Sequence, residues 1–185
     1  MKVKDVVKIS ATHLNMPTVV EYCNNGGTID QEILKEVEKL TLLTNLVVTE
    51  LSEAYIPVNK VESVVPKNRR VEFSALKHNP IKIVGVFDGE GREIDYKLYG
   101  TYVEGDGIEI ISYQYVPPVR EFEDDLDYDE GVISTALLAL GLSAEYCLTI
   151  GRFDEAVMWR KRFVAGVKEK ICPKNRKIKG RNFYD

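Results

Sequence analysis

The stretch DLDYDEG, residues 125–131, gathers the densest set of hard oxygen ligands in the chain. Asp125, Asp127 and Asp129 match the first, third and fifth positions of a calcium loop. The sixth position, where the sharp turn needs Gly, is Glu130, and the twelfth, where a bidentate Glu is needed, is Ala136. The EF-hand pattern therefore fails. These carboxylates read first as a solvated linker or as an acidic face at a helix N-terminus, where the dipole favours acids. A surface cation site, and with it a metal-dependent enzyme using residues 123–130, is the minor reading. His13 and His78 stand far apart and in neither an HxxxH nor an HxxE pattern. Cys23, Cys147 and Cys172 fit neither a CxxC pair nor a zinc site. Cys147 falls on an apolar run, so a buried, inert thiol is expected. GxSxG, Walker A and GxGxxG motifs are absent from the sequence. With no nucleophile set beside a base and an orienter, the expectation is a non-enzyme that needs no cofactor.

Charge is the second chemical signal. The net charge of −4 does not suggest non-specific nucleic-acid binding by the whole molecule, but its distribution is uneven. Glu121, Glu123, Asp124, Asp125, Asp127, Asp129 and Glu130 form an acidic block. Lys168, Lys170, Lys174, Arg176, Lys177, Lys179 and Arg181 form a basic end. Glu123, Asp124, Asp125 and Asp127 on one side, with Lys168 and Lys170 on the other, are candidates for a charge contact between subunits. After Pro173 the chain lacks apolar periodicity and cannot fold alone. Within it, Ile178, Phe183 and Tyr184 are candidate anchors for docking on another chain, ringed by Arg176, Lys177, Lys179 and Arg181. Basic residues beside aromatics also suit single-stranded nucleic acid.

These groups need elements to position them. Residues 3–15 carry a partial apolar stripe and read as a helix that Met16-Pro17 breaks. A short second helix over 18–23 and an Asn-Gly-rich turn follow. Thr28 to Gln31 is a capping-box candidate for a long helix to about Tyr55. Ile33, Val37, Leu40, Thr44, Val47, Leu51 and Ala54 keep helical spacing, while Leu34, Leu42, Leu43 and Leu46 widen the face, so this helix should be central and touched on more than one side. From 56 to 116 short Val-, Ile- and Tyr-rich runs read as four or five strands, with hairpin turns at 88–91 and 104–107.

Residues 132–150 form a small-residue helix that a partner helix can approach closely, Gly151 suits its C-terminus, and Asp154 is the candidate cap of a last helix to about Ile171. The expected fold class is α+β: a helical bundle of N- and C-terminal helices with an inserted antiparallel β meander or small barrel. Residues 1–55 and 130–172 would form the bundle and 56–118 the insertion. An acidic linker would occupy 119–129 and a basic arm 173–185. The first 14 residues lack the apolar core of a signal peptide, and no run of about 18 apolar residues predicts a membrane span.

AEYCLTIGRFDEAVMWRKRF, residues 144–163, has the outline of half a tetratricopeptide unit. Such units need about three copies, and none recurs at a shift of about 34 residues. A plain helical hairpin is the stronger reading; a helical-repeat-like peptide- or RNA-binding module is the alternative.

The plan as a whole resembles the head-to-tail adaptor, or connector, proteins of tailed bacteriophages, including the tail tubular A type. The features that carry the resemblance are VKDVVKISATHLN, the long helix ending TNLVVTELSEAYIPV, the YQYVPP strand-and-proline signature, the 144–163 hairpin and the basic RKIKGRNF segment. The resemblance implies a homo-oligomeric ring, commonly dodecameric, that links the portal protein to tail proteins and continues the DNA channel without sequence-specific contact. It places the C-terminal segment at the portal. It implies no membrane partner and a location at the virion's head–tail junction, with assembly in the host cytoplasm.

Overall fold

The computed structural model describes residues 1–26 and 30–171, an α+β chain of five helices and two small antiparallel sheets. Helix α1 (Val3–His13) buries Val3, Val6, Val7, Ser10 and Ala11, a spacing that keeps one stripe inward. Pro17 opens α2 (Pro17–Asn25), where its missing N–H costs nothing. Helix α3 (Gln31–Ala54) begins at Asp30, whose carboxylate accepts the Glu32 N–H at 3.0 Å. Gln31 is thus the first helical residue rather than the third of a capping box, and Thr28 lies outside the described residues.

Six strands follow: β1 (Val58–Ser63), β2 (Arg70–Glu72), β3 (Pro80–Phe87), β4 (Tyr96–Leu98), β5 (Tyr102–Gly105) and β6 (Ile110–Tyr115). They form sheets in the orders β1-β6-β3 and β2-β5-β4. The expected meander is corrected here, because the first strand pairs with the last, Val58 opposite Tyr115 through to Ser63 opposite Ile110. The expected small barrel is corrected too: among the described residues the sheets are two three-stranded units and do not close. The turn at 88–91 does fold the chain back, with Phe87 bridged to Glu93. The turn at 104–107 instead carries the chain from one sheet to the other.

Helix α4 (Thr135–Thr149) starts at Ser134, whose hydroxyl accepts the Leu137 N–H at 3.3 Å. Gly151 at φ 76° ends it in the left-handed region that glycine adopts without cost. Helix α5 (Phe153–Ile171) begins one residue before Asp154, which sits in the first turn with Glu155 instead of capping it. Helix α4 packs against α1, α3 and α5, and most of its residues are buried. Helix α3 is touched by α1, α2 and α4, as expected of a central helix, and α4 is the more enclosed of the two. Leu42 and Leu46 of α3, expected inside, are 65% and 52% exposed. The close approach depends on small residues. A Cβ on Gly141 of α4 would lie 2.7 Å from a methyl of Val47 in α3 and 3.1 Å from the Phe163 ring in α5.

Candidate functional site

The acidic block is not free-standing. Its backbone closes the start of α1: Val3 N–H donates to Asp124 O at 3.1 Å and Lys4 N–H to Phe122 O at 2.9 Å. Those are two of the orphan donors every helix N-terminus must satisfy. The block's carboxylates then collect around the positive end of the same helix. Glu123 accepts from Lys4 Nζ at 2.9 Å and lies 3.9 Å from Lys2. The Glu123 carboxylate raises the Lys4 ammonium above its ordinary value. Asp125 is bridged through its backbone to Lys2.

Further along, Arg120 holds both carboxylate oxygens of Asp127, at 2.8 and 3.0 Å. Asp124 accepts the Glu121 N–H at 2.9 Å, a local turn. Asn45 of α3 fixes the beginning of the segment. Its amide donates to Arg120 O at 2.9 Å, and its carbonyl oxygen accepts the Arg120 N–H at 2.8 Å. Tyr128 closes the other end, its hydroxyl donating to Ile56 O at 2.6 Å. Residues 119–129, expected as a linker, are therefore a strap bonded to α1, to α3 and to the start of the β region.

This places each predicted charge. Glu123, Asp124 and Asp127 are engaged within their own chain, and the strap holds Asp125 beside Lys2. Lys170 reaches Gly131 O at 3.5 Å, which sets the basic end of α5 beside the acidic block of the same molecule. Lys168 is exposed nearby. Among the described residues no three His, Cys, Asp or Glu side chains gather around a common point, and Asp127 is turned to Arg120. The docking residues Arg176, Lys177, Ile178, Lys179, Arg181, Phe183 and Tyr184 lie outside the described residues.

A second polar group sits where α1, α4 and α5 meet. Ser143 donates to Ala139 O at 2.7 Å, which uses its only proton. It must therefore accept from Ser10, at 3.0 Å, and from His13 Nδ1, at 3.3 Å. That fixes the neutral His13 with its proton on Nδ1. The imidazole stacks on Trp159 with ring centroids 4.9 Å apart, and Arg162 lies over the same indole at 5.1 Å. Burial and the Arg162 charge both hold His13 below its ordinary value of 6.5. The sequence sets His13 in no metal-ligand pattern. Its signal was a helical His facing the chain's one Trp, visible only after folding.

The sign of the resulting pH effect follows directly. His13 binds a proton more weakly folded than unfolded, so its contribution to stability is present above pH 6.5 and is lost as pH falls below it. Acidifying from pH 7 to 5 should lower the melting temperature. In the His13→Gln variant this drop should be smaller, and thermal denaturation of both proteins across that range checks it.

Burial pushes the Cys147 thiol up, and burial with the Glu62 carboxylate pushes the Tyr113 phenol up to about 12. What the arrangement does is lock helices together. Arg160 of α5 spans to Glu50 of α3 and to Glu145 of α4. No helix among the described residues is long and apolar enough to cross a membrane. No protein-family model matches the chain, and no curated protein is significantly similar to it.

Proposed function

We propose that this chain is a structural subunit of a phage head-to-tail adaptor ring, seated between the portal and the tail and acting without catalysis. The observation that carries the reading is the placement of α4. One helix from the C-terminal half packs on two from the N-terminal half and on its own neighbour, and the β region emerges between the halves. Segments 1–55 and 130–171 are then read as one bundle with 56–118 as its insertion. This is the plan on which the resemblance rests. The strap supports it further, since it pins the return from the β region to α1 and α3. A ring needs two different surfaces that meet head to tail, and a chain with a helical part and a sheet part offers them.

In this reading the contacts between subunits use surface beyond the internally paired acids, and the segment after Pro173 meets the portal. Deletion of residues 174–185 should abolish binding to the purified portal while leaving the helical circular dichroism of the remaining chain in place. Undiminished portal binding by the shortened chain, measured by co-sedimentation, would remove the docking role of the segment.

A further inference from the structure

We infer that the outward stripe of α3 is the seat of the chain's own C-terminal segment in the free subunit. The stripe runs Glu38, Leu42, Leu46, Thr49 and Glu53, with Lys35 at its N-terminal end. Two leucines in a solvent stripe, at 65% and 52% exposure, are an unpaired apolar surface. Val119 extends it, being 77% exposed and next to Arg120, which Asn45 holds against the same level of α3. The flanking carboxylates of Glu38 and Glu53 make no ion pair among the described residues and are exposed. An occupant should therefore be apolar in the middle and basic on both sides. The sequence from Lys174 to Arg181 has that pattern, with Ile178 between Arg176, Lys177 and Lys179.

Position and length agree. Gly141 of α4 faces both Val47 and Phe163, Tyr146 hydrogen-bonds Glu36, and Gly166 faces Leu137. Helices α3 and α5 thus each run antiparallel to α4, and Gly141 lies between Val47 and Phe163. Arg160 of α5 is ion-paired to Glu50 of α3. Lys170, near the end of α5, reaches Gly131 O, and Tyr128, three residues before Gly131, donates to Ile56 O just past α3, so the chain leaves α5 toward the C-terminal end of α3. An extended chain covers about 3.3 Å per residue against 1.5 Å for a helix. Lys174 to Arg181 would span about 23 Å, and Glu53 to Glu38 on the helix is also about 23 Å. With Lys174 over Glu53 and Arg181 over Glu38, Ile178 falls between Leu46 and Leu42. The seven residues from Cys172 to Ile178 span about 23 Å, enough to reach that point from Ile171.

This inference concerns the free subunit and does not depend on the adaptor reading. Where that reading also holds, the segment is stored on α3 before it meets the portal.

The test uses the full chain with a photoreactive p-benzoylphenylalanine at Leu42 or, in a second protein, at Leu46. After irradiation at low micromolar concentration, mass spectrometry should find each probe joined to residues 174–184 in a species of monomer mass. Adding Glu38→Lys and Glu53→Lys should cut that yield severalfold with circular dichroism unchanged. Cross-links that map elsewhere, that occur only at dimer mass, or that ignore the charge reversals would overturn the assignment. Failure of portal binding would not bear on it.

Discussion

Replacing Phe163 with Ala should lower the unfolding free energy by about 3–5 kcal/mol, the range for a buried aromatic cut to a methyl. At about 2–4 °C per kcal/mol for a chain of this size, the melting temperature should fall by about 10 °C. The reason is the site. Phe163 is fully buried, and its ring edge lies against Gly141, where α4 packs on α5. Gly141→Ala attacks the same contact from the other side. Its new methyl would meet Val47 at 2.7 Å and the Phe163 ring at 3.1 Å, so overpacking should cost about 1–3 kcal/mol. The two changes should not add. Once the ring is gone, the methyl added at Gly141 has room on the α5 side, and the double variant should cost less than the sum. Thermal and urea denaturation of the three variants measure this. Additive losses, or a loss under about 1 kcal/mol for Phe163→Ala, would mean that this seam is not the tight core the geometry describes.

Parts of this arrangement are legible before folding. Helical spacing with Pro57 gives α3 nearly to its ends, and Gly151 marks the break between α4 and α5. Such signals are local: a period, a proline, a residue that tolerates positive φ. Strand pairing is not local. The joining of β1 to β6 puts Val58 opposite Tyr115, and nothing in either strand names its partner. A meander is the default for consecutive strands, and here that default fails. The same limit explains Leu42 and Leu46. A run of leucines tells that a helix has apolar surface to bury, not how many faces will find a neighbour. It also explains the acidic block. Its composition resembles that of a linker, because its bonds to α1 use backbone groups that every sequence shares. Asn45 was the available clue. A lone amide inside an apolar helical stretch must find partners if it is buried, and it does.

Asn45→Ala should therefore cost more than a single surface change, about 2–3 kcal/mol, and its effect should be concentrated in residues 120–128. Asn45 is buried, at 8% exposure, and makes three bonds. Its amide donates to Thr41 O and Arg120 O, each at 2.9 Å, and its oxygen accepts the Arg120 N–H at 2.8 Å. Truncation leaves both backbone groups of Arg120 without those partners at a part-buried site, the case in which a missing hydrogen bond is expensive. The Asn45→Asp variant separates the contributions. It keeps an acceptor for the Arg120 N–H but sets a buried carboxylate against Thr41 O and Arg120 O, so its loss should be at least that of Asn45→Ala at pH 7. Hydrogen exchange followed by mass spectrometry should show faster exchange over 120–128 in Asn45→Ala, with α4 and α5 changed only by the global loss of stability. Unchanged exchange there would shift the anchoring to Tyr128 and to the backbone bonds at Val3 and Lys4. The strap fixes where Glu123 and Asp125 sit, so the same variant should also release Lys2 and Lys4 from their acidic neighbours.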